Sequence, residues 1–183
     1  FSRDVPFPPV CNSLNNLLYL CCPSSWRYQI VLCNIIKAIT RAICYGEGMH
    51  IQKFEFCVHG DDRGQLVAVE AMKDIPFEVK RVYYLYDTVQ GVRRGFHAHK
   101  NLEQVLVCVH GSCKVMLDNG SETSDVVLDK PYEGLYIANN IWREMYDFSP
   151  DAVLLVLASQ LYDESDYIRD YDEFLAFISS RGE

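Results

Sequence analysis

The chain has 183 residues, 49% of them hydrophobic, which is enough apolar material for one core in a single soluble domain. Its formal net charge of -8 argues against a nucleic-acid partner, because such proteins need basic surface to neutralise phosphates.

Residues 1–48 lack the sequence pattern of a folded domain, because they carry few charges and their hydrophobic residues show no sustained period of two or 3.6. No apolar run in this segment is long enough to span a bilayer. Polar residues interrupt positions 30–43, where a signal peptide would need an apolar centre. We therefore expect neither a secretory signal nor a membrane partner.

Gly46-Glu47-Gly48 stands directly before Met49, and purine-rich codons for such a run could overlap a bacterial ribosome-binding site. We therefore expect the native protein to start at Met49. Residues 1–48 would then be a non-native upstream extension or a disordered segment, and residues 49–183 the folded domain. An amphipathic N-terminal extension is the alternative.

Three cysteines follow Met49, and they are Cys57, Cys108 and Cys113. Their odd number and the lack of a Cys-x-x-Cys spacing argue against a disulfide framework or a structural zinc site. The pattern predicts buried thiols in a reducing cytoplasm.

Short β-branched and aromatic runs fill the chain after Met49 and predict strands. These runs span residues 66–70, 80–86, 104–110, 113–117, 134–138 and 152–158. His110-Gly111-Ser112 and Asp118-Asn119-Gly120 predict hairpins, because Asn and Gly tolerate positive φ. Several short antiparallel strands at this spacing predict an all-β sandwich or small barrel.

One helix is predicted at the C-terminus, with Ser165 or Asp166 as its N-cap. Its apolar stripe consists of Ile168, Tyr171, Leu175 and Ile178. We expect this helix to pack against the outside of the barrel.

The run Arg94-Gly95-Phe96-His97-Ala98-His99-Lys100 is the main candidate for a functional site. Side chains at i and i+2 share one face of a strand, so His97 and His99 would converge on one pocket beside Arg94. Such a pair could move protons or hold a metal ion. Two histidines beside an arginine are costly to bury for packing alone.

Gly91, His97, His99 and Glu103 have the spacing of the first motif of the cupin superfamily, and this resemblance implies a cupin-type jelly roll. In metal-binding cupins a further histidine from a second motif completes the ligand set. The corresponding region here, residues 131–143, contains no histidine. Arg143 in that region cannot be deprotonated to bind a metal. This favours direct proton transfer with no metal and no cofactor.

The resemblance extends beyond the fold to the nucleotide-sugar 3,4-ketoisomerases, the WxcM-like C-terminal family of metal-free cupins that act on dTDP-4-keto-6-deoxyglucose. It rests on Asp62-Arg63-Gly64, Ile75-Pro76-Phe77, Lys80-Arg81-Val82-Tyr83-Tyr84, Arg94 to His99, Gly111-Ser112-Cys113, Ala158-Ser159 and Tyr167-Ile168-Arg169. The similarity runs from about Met49 to the end of the chain. Residues 103–108 are most similar to the branch that forms the 3-keto-6-deoxygalactose product.

The resemblance implies that His97 and His99 form the acid/base pair of a reaction through an enediol, with His97 the stronger candidate for the base. Arg94 would stabilise the enediolate or bind the diphosphate. Arg81 is the better candidate for the diphosphate, and Tyr83 would hydrogen-bond in the same pocket. Packing for Tyr83 and a surface ion pair for Arg81 are the structural alternatives. The division of labour between the histidines stays open.

The roles of Arg143 and Glu103 also stay open at this point, and Glu103 could orient an imidazole or pair with Lys100 or an arginine. The family further implies a dTDP-linked 4-keto-6-deoxy sugar as substrate. It implies a homodimer, for which the aromatic run Tyr83-Tyr84-Leu85-Tyr86 would suit an interface. The product would pass towards an amino sugar of a surface polysaccharide such as lipopolysaccharide.

Two other functions compete with this interpretation. One is a metal-dependent cupin, either a dioxygenase or a metal-using sugar isomerase. The other is a non-catalytic cupin that senses sugars.

Overall fold

The computed structural model describes Met49 and residues 51–181. The expectation for residues 1–48 therefore lies outside the described residues. Within them the chain forms twelve strands, a 3₁₀ turn at Glu164–Asp166 and the helix α1 at Tyr171–Ser179. The strands are β1 Gln52–Glu55, β2 Val58–Asp61, β3 Gly64–Val67, β4 Arg81–Leu85, β5 Arg94–His99, β6 Gln104–His110, β7 Cys113–Asp118, β8 Thr123–Leu128, β9 Glu133–Ile137, β10 Trp142–Tyr146, β11 Val153–Ala158 and β12 Tyr167–Ile168.

Ten of these strands form two antiparallel sheets that face each other. The first sheet has the order β1-β9-β6-β11-β4, and the second has the order β12-β5-β10-β7-β8. The remaining strands, β2 and β3, pair with each other in a separate hairpin. The predicted all-β jelly roll with a C-terminal helix is confirmed.

The main core lies between the two sheets and takes alternate residues from the strands of both. Leu106 and Cys108 of β6 face this core, together with Val115 and Leu117 of β7. The intervening residues Val105 and Val107 of β6 face the opposite way. This alternation follows from the period of two in a strand, and it explains why β6 is apolar on both faces.

A second apolar cluster covers the outer face of the first sheet. Phe56, Ile75 and Phe77, from the segment before β4, pack there against Val105 and Val107. On the outer face of the second sheet, Ile168 and Phe174 of the C-terminal region pack against Ala98 of β5 and Trp142 of β10. The expectation that the helix packs on the outside of the sandwich is confirmed.

The predicted start of the helix was wrong by several residues. Asp170 is the N-cap of α1, and its carboxylate accepts a hydrogen bond from the Glu173 amide. Ser165 and Asp166 belong instead to the 3₁₀ turn, whose N-cap is Asp163. Asp166 does not cap the helix, because its carboxylate is buried and accepts a hydrogen bond from the loop after β5.

The predicted apolar stripe changes accordingly. Ile168 lies in β12, and Tyr171 is 41% exposed. The residue of α1 that is fully buried is Phe174, which packs against Trp142 with 5.7 Å between ring centroids.

Most predicted strands are present with shifts of one or two residues at their ends, and β6 has the predicted bounds. The predicted strand at 66–70 begins earlier and ends at Val67. The unpredicted strands carry polar or charged residues or are very short, and they are β1, β2, β8, β10 and β12.

The turn after Asp118 does form the predicted hairpin between β7 and β8. The prediction of a hairpin at His110-Gly111-Ser112 was wrong, because β6 and β7 belong to different sheets and this turn carries the chain from one to the other. Gly111 has φ +68 there, and a Cβ would lie 2.3 Å from Ser149 Oγ. The close approach therefore requires glycine.

All three described cysteines are free thiols, and Cys108 and Cys113 are buried as predicted. The same prediction was wrong for Cys57, which is exposed because it lies just before the solvent-facing β2–β3 hairpin. In the described part of the chain, no helix has the length and apolar character needed to cross a membrane.

Candidate active site

β5 carries the histidine pair, and a bulge in its pairing with β10 sets their orientation. The register shifts between Arg143 and Glu144, and Gly95 and Phe96 both have positive φ. A Cβ on Gly95 would lie 2.7 Å from the Arg143 carbonyl oxygen, so the two strands can approach only at glycine. Beyond the bulge the alternation is regular, and Ala98 faces the helix side.

His97 and His99 lie on the same face of β5, as predicted, with 4.9 Å between their ring centroids and an interplanar angle of 86°. The Nδ1 atom of His97 is 3.0 Å from the carbonyl oxygen of Gly95. A carbonyl can only accept, so Nδ1 carries the proton and Nε2 keeps its lone pair. Burial, and next the charge of Arg143, lower the pKa of His97 to about 4. His97 is thus a neutral base at physiological pH.

His99 is fully buried and is not part of the cavity wall that His97 helps to form. Its Nδ1 atom is 3.0 Å from Oδ2 of Asp166, and its Nε2 atom has no partner within the described residues. Burial and then Arg143 lower the pKa of His99 to about 2. The contact with Asp166 is therefore a hydrogen bond from a neutral imidazole to a carboxylate.

A cavity of about 530 Å³ lies in front of His97, within the usual range for small-molecule sites. Strands of both sheets line it, together with the segment that follows β11. Four of the five residues predicted for the site are on its wall, namely Arg81, Tyr83, Arg94 and His97. The structure thus brings together residues that lie up to sixteen positions apart in sequence.

Arg143 is the main site residue whose role the sequence left open. It is 1% exposed, and none of its three guanidinium nitrogens has a hydrogen-bond partner within the described residues. Burial lowers the pKa of Arg143 to about 10, so the side chain remains a cation at neutral pH. A buried cation that lines a cavity without a partner is suited to an anionic ligand atom.

Among the described residues, Arg81 makes no surface ion pair of the kind considered as an alternative. Its Nε and Nη2 atoms are buried and have no partner within the described residues. The guanidinium carbon is 5.2 Å from the ring centroid of Tyr83 and 5.5 Å from that of Tyr162. The stacking holds the guanidinium in place and leaves its donors for a ligand.

Tyr83 and Tyr84 both line the cavity, but Tyr83 is largely buried and Tyr84 is 61% exposed, as the alternation of a strand requires. Gln104 Nε2 donates a hydrogen bond of 2.7 Å to the Tyr83 hydroxyl. Burial raises the pKa of Tyr83, so the phenol keeps its proton and can donate it to a ligand oxygen. Arg94 lines the same cavity but is exposed, so water screens its charge.

Sequence reasoning missed several residues that shape the site, because they become neighbours only through the fold. Tyr162, Tyr167 and Arg169 come from the segment after β11, and all three line the cavity. The Tyr167 ring is 4.2 Å from that of His99, and Arg169 stacks 4.4 Å from Tyr167. The only sequence signal was the motif Tyr167-Ile168-Arg169 itself.

Glu103 differs from both interpretations considered for it. Its carboxylate accepts a hydrogen bond from the Tyr136 hydroxyl, rather than orienting an imidazole or pairing with Lys100. The neighbouring residue Gln104 faces the cavity, so the alternation of the strand directs Glu103 away from it. Among residues 51–181 there is no group of three His, Cys, Asp or Glu placed to hold a metal ion.

The two-sheet sandwich, with the neutral His97 on the wall of its cavity and the neutral His99 buried beside it, defines a cupin-type site. A family model described as "FdtA: WxcM-like, C-terminal" matches residues 48–179. The chain is 57% identical over 119 residues to the TDP-4-oxo-6-deoxy-alpha-D-glucose-3,4-oxoisomerase of Aneurinibacillus thermoaerophilus, covering 65% of this chain and 86% of that relative.

Two solved structures extend the comparison. A mutant of the 3,4-ketoisomerase QdtA from Thermoanaerobacterium thermosaccharolyticum, solved with TDP-4-keto-6-deoxyglucose, has 44% identity and a TM-score of 0.70 over 72% of this chain and 95% of its own. The WlaRB TDP-quinovose 3,4-ketoisomerase of Campylobacter jejuni has 50% identity and a TM-score of 0.67 over 70% of this chain and 99% of its own. The chain belongs to the WxcM-like, C-terminal family and is an enzyme of the 3,4-ketoisomerase class.

The titration of His97 can be measured without a substrate. We expect its ring resonances to titrate near pH 4 in NMR spectra, with the signal assigned by its loss in His97→Asn. Between pH 6.5 and about 4 the unfolded chain binds a proton that the folded chain does not. Lowering the pH should therefore reduce the free energy of unfolding by up to about 1.4 kcal/mol per pH unit for each such histidine. A midpoint near the ordinary value of 6.5 would contradict the burial argument.

Arg143→Met should stabilise the unliganded protein, because an apolar side chain of similar length removes a buried charge that has no partner among the described residues. We expect the free energy of unfolding in urea to rise by roughly 1–4 kcal/mol, while turnover is lost. Arg93→Met is the matched control, since Arg93 is exposed and pairs with Glu144 at 2.9 Å. Its effect should stay below about 1 kcal/mol. Destabilisation by Arg143→Met would show that the guanidinium has partners in solution.

Proposed function

We propose that this protein converts dTDP-4-keto-6-deoxyglucose into a dTDP-3-keto-6-deoxyhexose by proton transfer through an enediol. The observation that carries the proposal is the neutral His97, which carries its proton on Nδ1 and lines the same cavity as the cation of Arg143. The substrate is supported by two relatives, one named for its action on the TDP-linked 4-oxo sugar and one solved with it.

The carbon chemistry follows from the ketone at C4, which makes the proton on C3 acidic. We assign His97 as the base that removes this proton and later delivers one to C4. Negative charge develops on the oxygen during the first transfer. We now assign its stabilisation to Arg143 rather than to Arg94, because a desolvated cation without competing partners acts more strongly than a solvent-exposed one.

The reaction must also move a proton between oxygens, from the hydroxyl at C3 to the oxygen at C4. We assign this transfer to His99, the second member of the predicted pair, because its Nε2 is an acceptor with no partner in the described part of the chain. His99 lies outside the cavity wall but only 4.9 Å from the ring of His97, so the transfer requires the sugar hydroxyl to approach it at that point. Tyr83, which keeps its phenolic proton, would hydrogen-bond to the sugar. Arg81, and Arg94 in the solvent-exposed part of the cavity, would bind the diphosphate.

The galactose configuration at C4 is supported by the assignment of both carbon proton transfers to one base. In this sugar series the proton removed from C3 and the proton added at C4 lie on the same face of the ring for a galactose product, and on opposite faces for a glucose product. His97 is the histidine on the cavity wall, and a single base favours transfer on a single face. The glucose product is the second candidate, favoured by the C. jejuni relative that is named for quinovose, a 6-deoxyglucose.

Incubation with dTDP-4-keto-6-deoxyglucose in deuterium oxide tests the proposed activity. We expect NMR spectra to show a 3-keto product and solvent deuterium in the sugar. His97→Asn should lower kcat by about 10²- to 10⁴-fold, the usual contribution of a general base. Binding of dTDP, measured by calorimetry, should be retained.

The matched control is His110→Asn, an exposed histidine at the end of β6 that pairs with Asp151. It should leave kcat within about twofold of the wild type. In ordinary water, the NMR coupling constant between the hydrogens on C4 and C5 distinguishes the two products. It is small for the galactose configuration and large for the glucose configuration. Absence of both deuterium and product sinks the proposal. Binding without turnover would support a sensing cupin, and loss of activity with a chelator would support a metal-dependent one.

We further propose that the functional unit is the cupin domain of residues 49–183, acting in the cytoplasm. Free thiols at all three described cysteines support a reducing compartment. The 3-keto product would be consumed by an aminotransferase and then an acetyltransferase, on the way to a surface polysaccharide. No cofactor is assigned to the domain, because a keto shift needs no net oxidant or reductant.

A homodimer is the proposed assembly, and the edge strand β4 supports it. Val82 and Tyr84 of β4 are 55% and 61% exposed, and Tyr86, just after its end, is 60% exposed. These side chains form a row beside the outer edge of β4, which has no strand partner among the described residues. Edges of this kind are covered in stable proteins, and a second copy of the chain would cover this one.

The double variant Val82→Lys/Tyr86→Lys tests the assembly without changing a residue of the cavity wall. We expect light scattering after size exclusion to give the mass of a dimer for the wild type and of a monomer for the variant. Val127→Lys is the control, because Val127 is 47% exposed on β8, the edge of the other sheet. A monomeric wild type contradicts the dimer, and a dimeric double variant contradicts the proposed surface.

A further inference from the structure

The carboxylate of Asp166 lies at the end of the 3₁₀ turn and is buried against the loop after β5. Its Oδ1 atom accepts hydrogen bonds from the amide of Asn101 at 2.8 Å and from Asn101 Nδ2 at 3.0 Å. Its Oδ2 atom accepts from the Leu102 amide at 3.3 Å and lies 3.0 Å from His99 Nδ1. Four contacts thus fix one carboxylate, and one of them reaches the histidine pair.

We infer that Asp166 is a positioning residue that holds His99 in its Nδ1–H tautomer and keeps Nε2 free as a proton acceptor. The inference rests on the proposed function for the role of His99 in turnover. An ionised carboxylate can only accept hydrogen bonds, so the hydrogen between the two residues belongs to Nδ1. A neutral imidazole carries a single N–H, so Nε2 is left with its lone pair.

The surroundings of His99 show why an additional residue is needed for this purpose. Its Nε2 atom is buried and has no partner in the described residues, so no protein group on that side fixes the tautomer. The tautomer therefore depends on the contact at Nδ1. When His99 takes up a hydroxyl proton, the same carboxylate stabilises the imidazolium that forms beside Arg143.

An amide in place of the carboxylate should reverse the tautomer. In Asp166→Asn, the side-chain oxygen should stay at the Oδ1 position, where two donors from Asn101 converge. The NH₂ group then faces His99 Nδ1, which must become an acceptor. The proton moves to Nε2, and the acceptor that the reaction needs is lost.

The experiment combines nitrogen NMR of His99 with steady-state kinetics on the full-length protein. We expect the Nδ1–H form in the wild type and the Nε2–H form in Asp166→Asn. The kcat for isomerisation should fall at least about 100-fold, with KM within about threefold of the wild type. In a His99→Asn background, Asp166→Asn should cause no additional loss of kcat, because Asp166 acts through His99.

Asp163→Asn is the matched control, since it makes the same chemical change three positions earlier in the same turn. Asp163 accepts hydrogen bonds from the amide and hydroxyl of Ser165, which an asparagine oxygen can also accept. The tautomer of His99 and the kcat should both stay as in the wild type.

Three results would overturn the inference: an Nε2–H tautomer in the wild type, a kcat within threefold of the wild type once the tautomer has reversed, or an equal loss of kcat in the His99→Asn background. If Asp166→Asn does not fold, the wild-type tautomer still decides the first of these. Failure of the proposed function gives a different result, namely a wild type without turnover, and the NMR measurement does not depend on turnover.

Discussion

The pairing of β5 with β10 is the constraint on which the site depends. His97 and Arg143 are direct partners in this antiparallel pair, so their side chains lie on the same face of the second sheet. The bulge at Gly95 allows the strands to approach there, since a Cβ would meet the Arg143 carbonyl oxygen at 2.7 Å. Gly95 has a second role, because its own carbonyl oxygen accepts a hydrogen bond from His97 Nδ1. One local irregularity therefore sets the orientation of His97, its tautomer and the position of the neighbouring cation.

The cavity keeps this arrangement at a cost in stability that the rest of the fold offsets. Arg143 is buried without a hydrogen-bond partner in the described residues, and two nitrogens of Arg81 are in the same state. Apolar clusters between the sheets and on both outer faces surround the cavity and hold its walls in place. Donors that are fixed before the ligand arrives need no reorganisation when charge develops. A site of this kind exchanges stability of the free protein for stabilisation of an anion.

Much of the fold could be predicted from local sequence, and the reasons for the failures are specific. β6 and β11 are continuous apolar runs, so they were found, and the alternation in His97-Ala98-His99 predicted a shared face for the histidines. β10 was missed because Arg143 and Glu144 stand in its middle, and charged residues are poor strand signals. Asp166 is of a residue type that often caps helices, so the sequence predicted a cap. Its burial depends on tertiary contacts, which local sequence does not show. The role of Arg143 could not be predicted because local sequence does not encode burial.

The net charge of the whole chain is negative, whereas the charge of the cavity wall is positive. The local charge of the cavity is the one that a bound ligand meets. The net charge is -8, yet Arg81, Arg94, Arg143 and Arg169 all line the cavity. Low-dielectric walls focus that local field, so the cavity can attract a diphosphate that the surface as a whole would repel. Burial, followed by the charges of Arg143 and Arg169, lowers the pKa of both histidines and keeps them neutral. An enediolate bound beside His97 would reverse this effect, because its negative charge favours the imidazolium. The base would then become stronger as the reaction proceeds, and the protonated form would be stable only for as long as the anion is there to receive the proton.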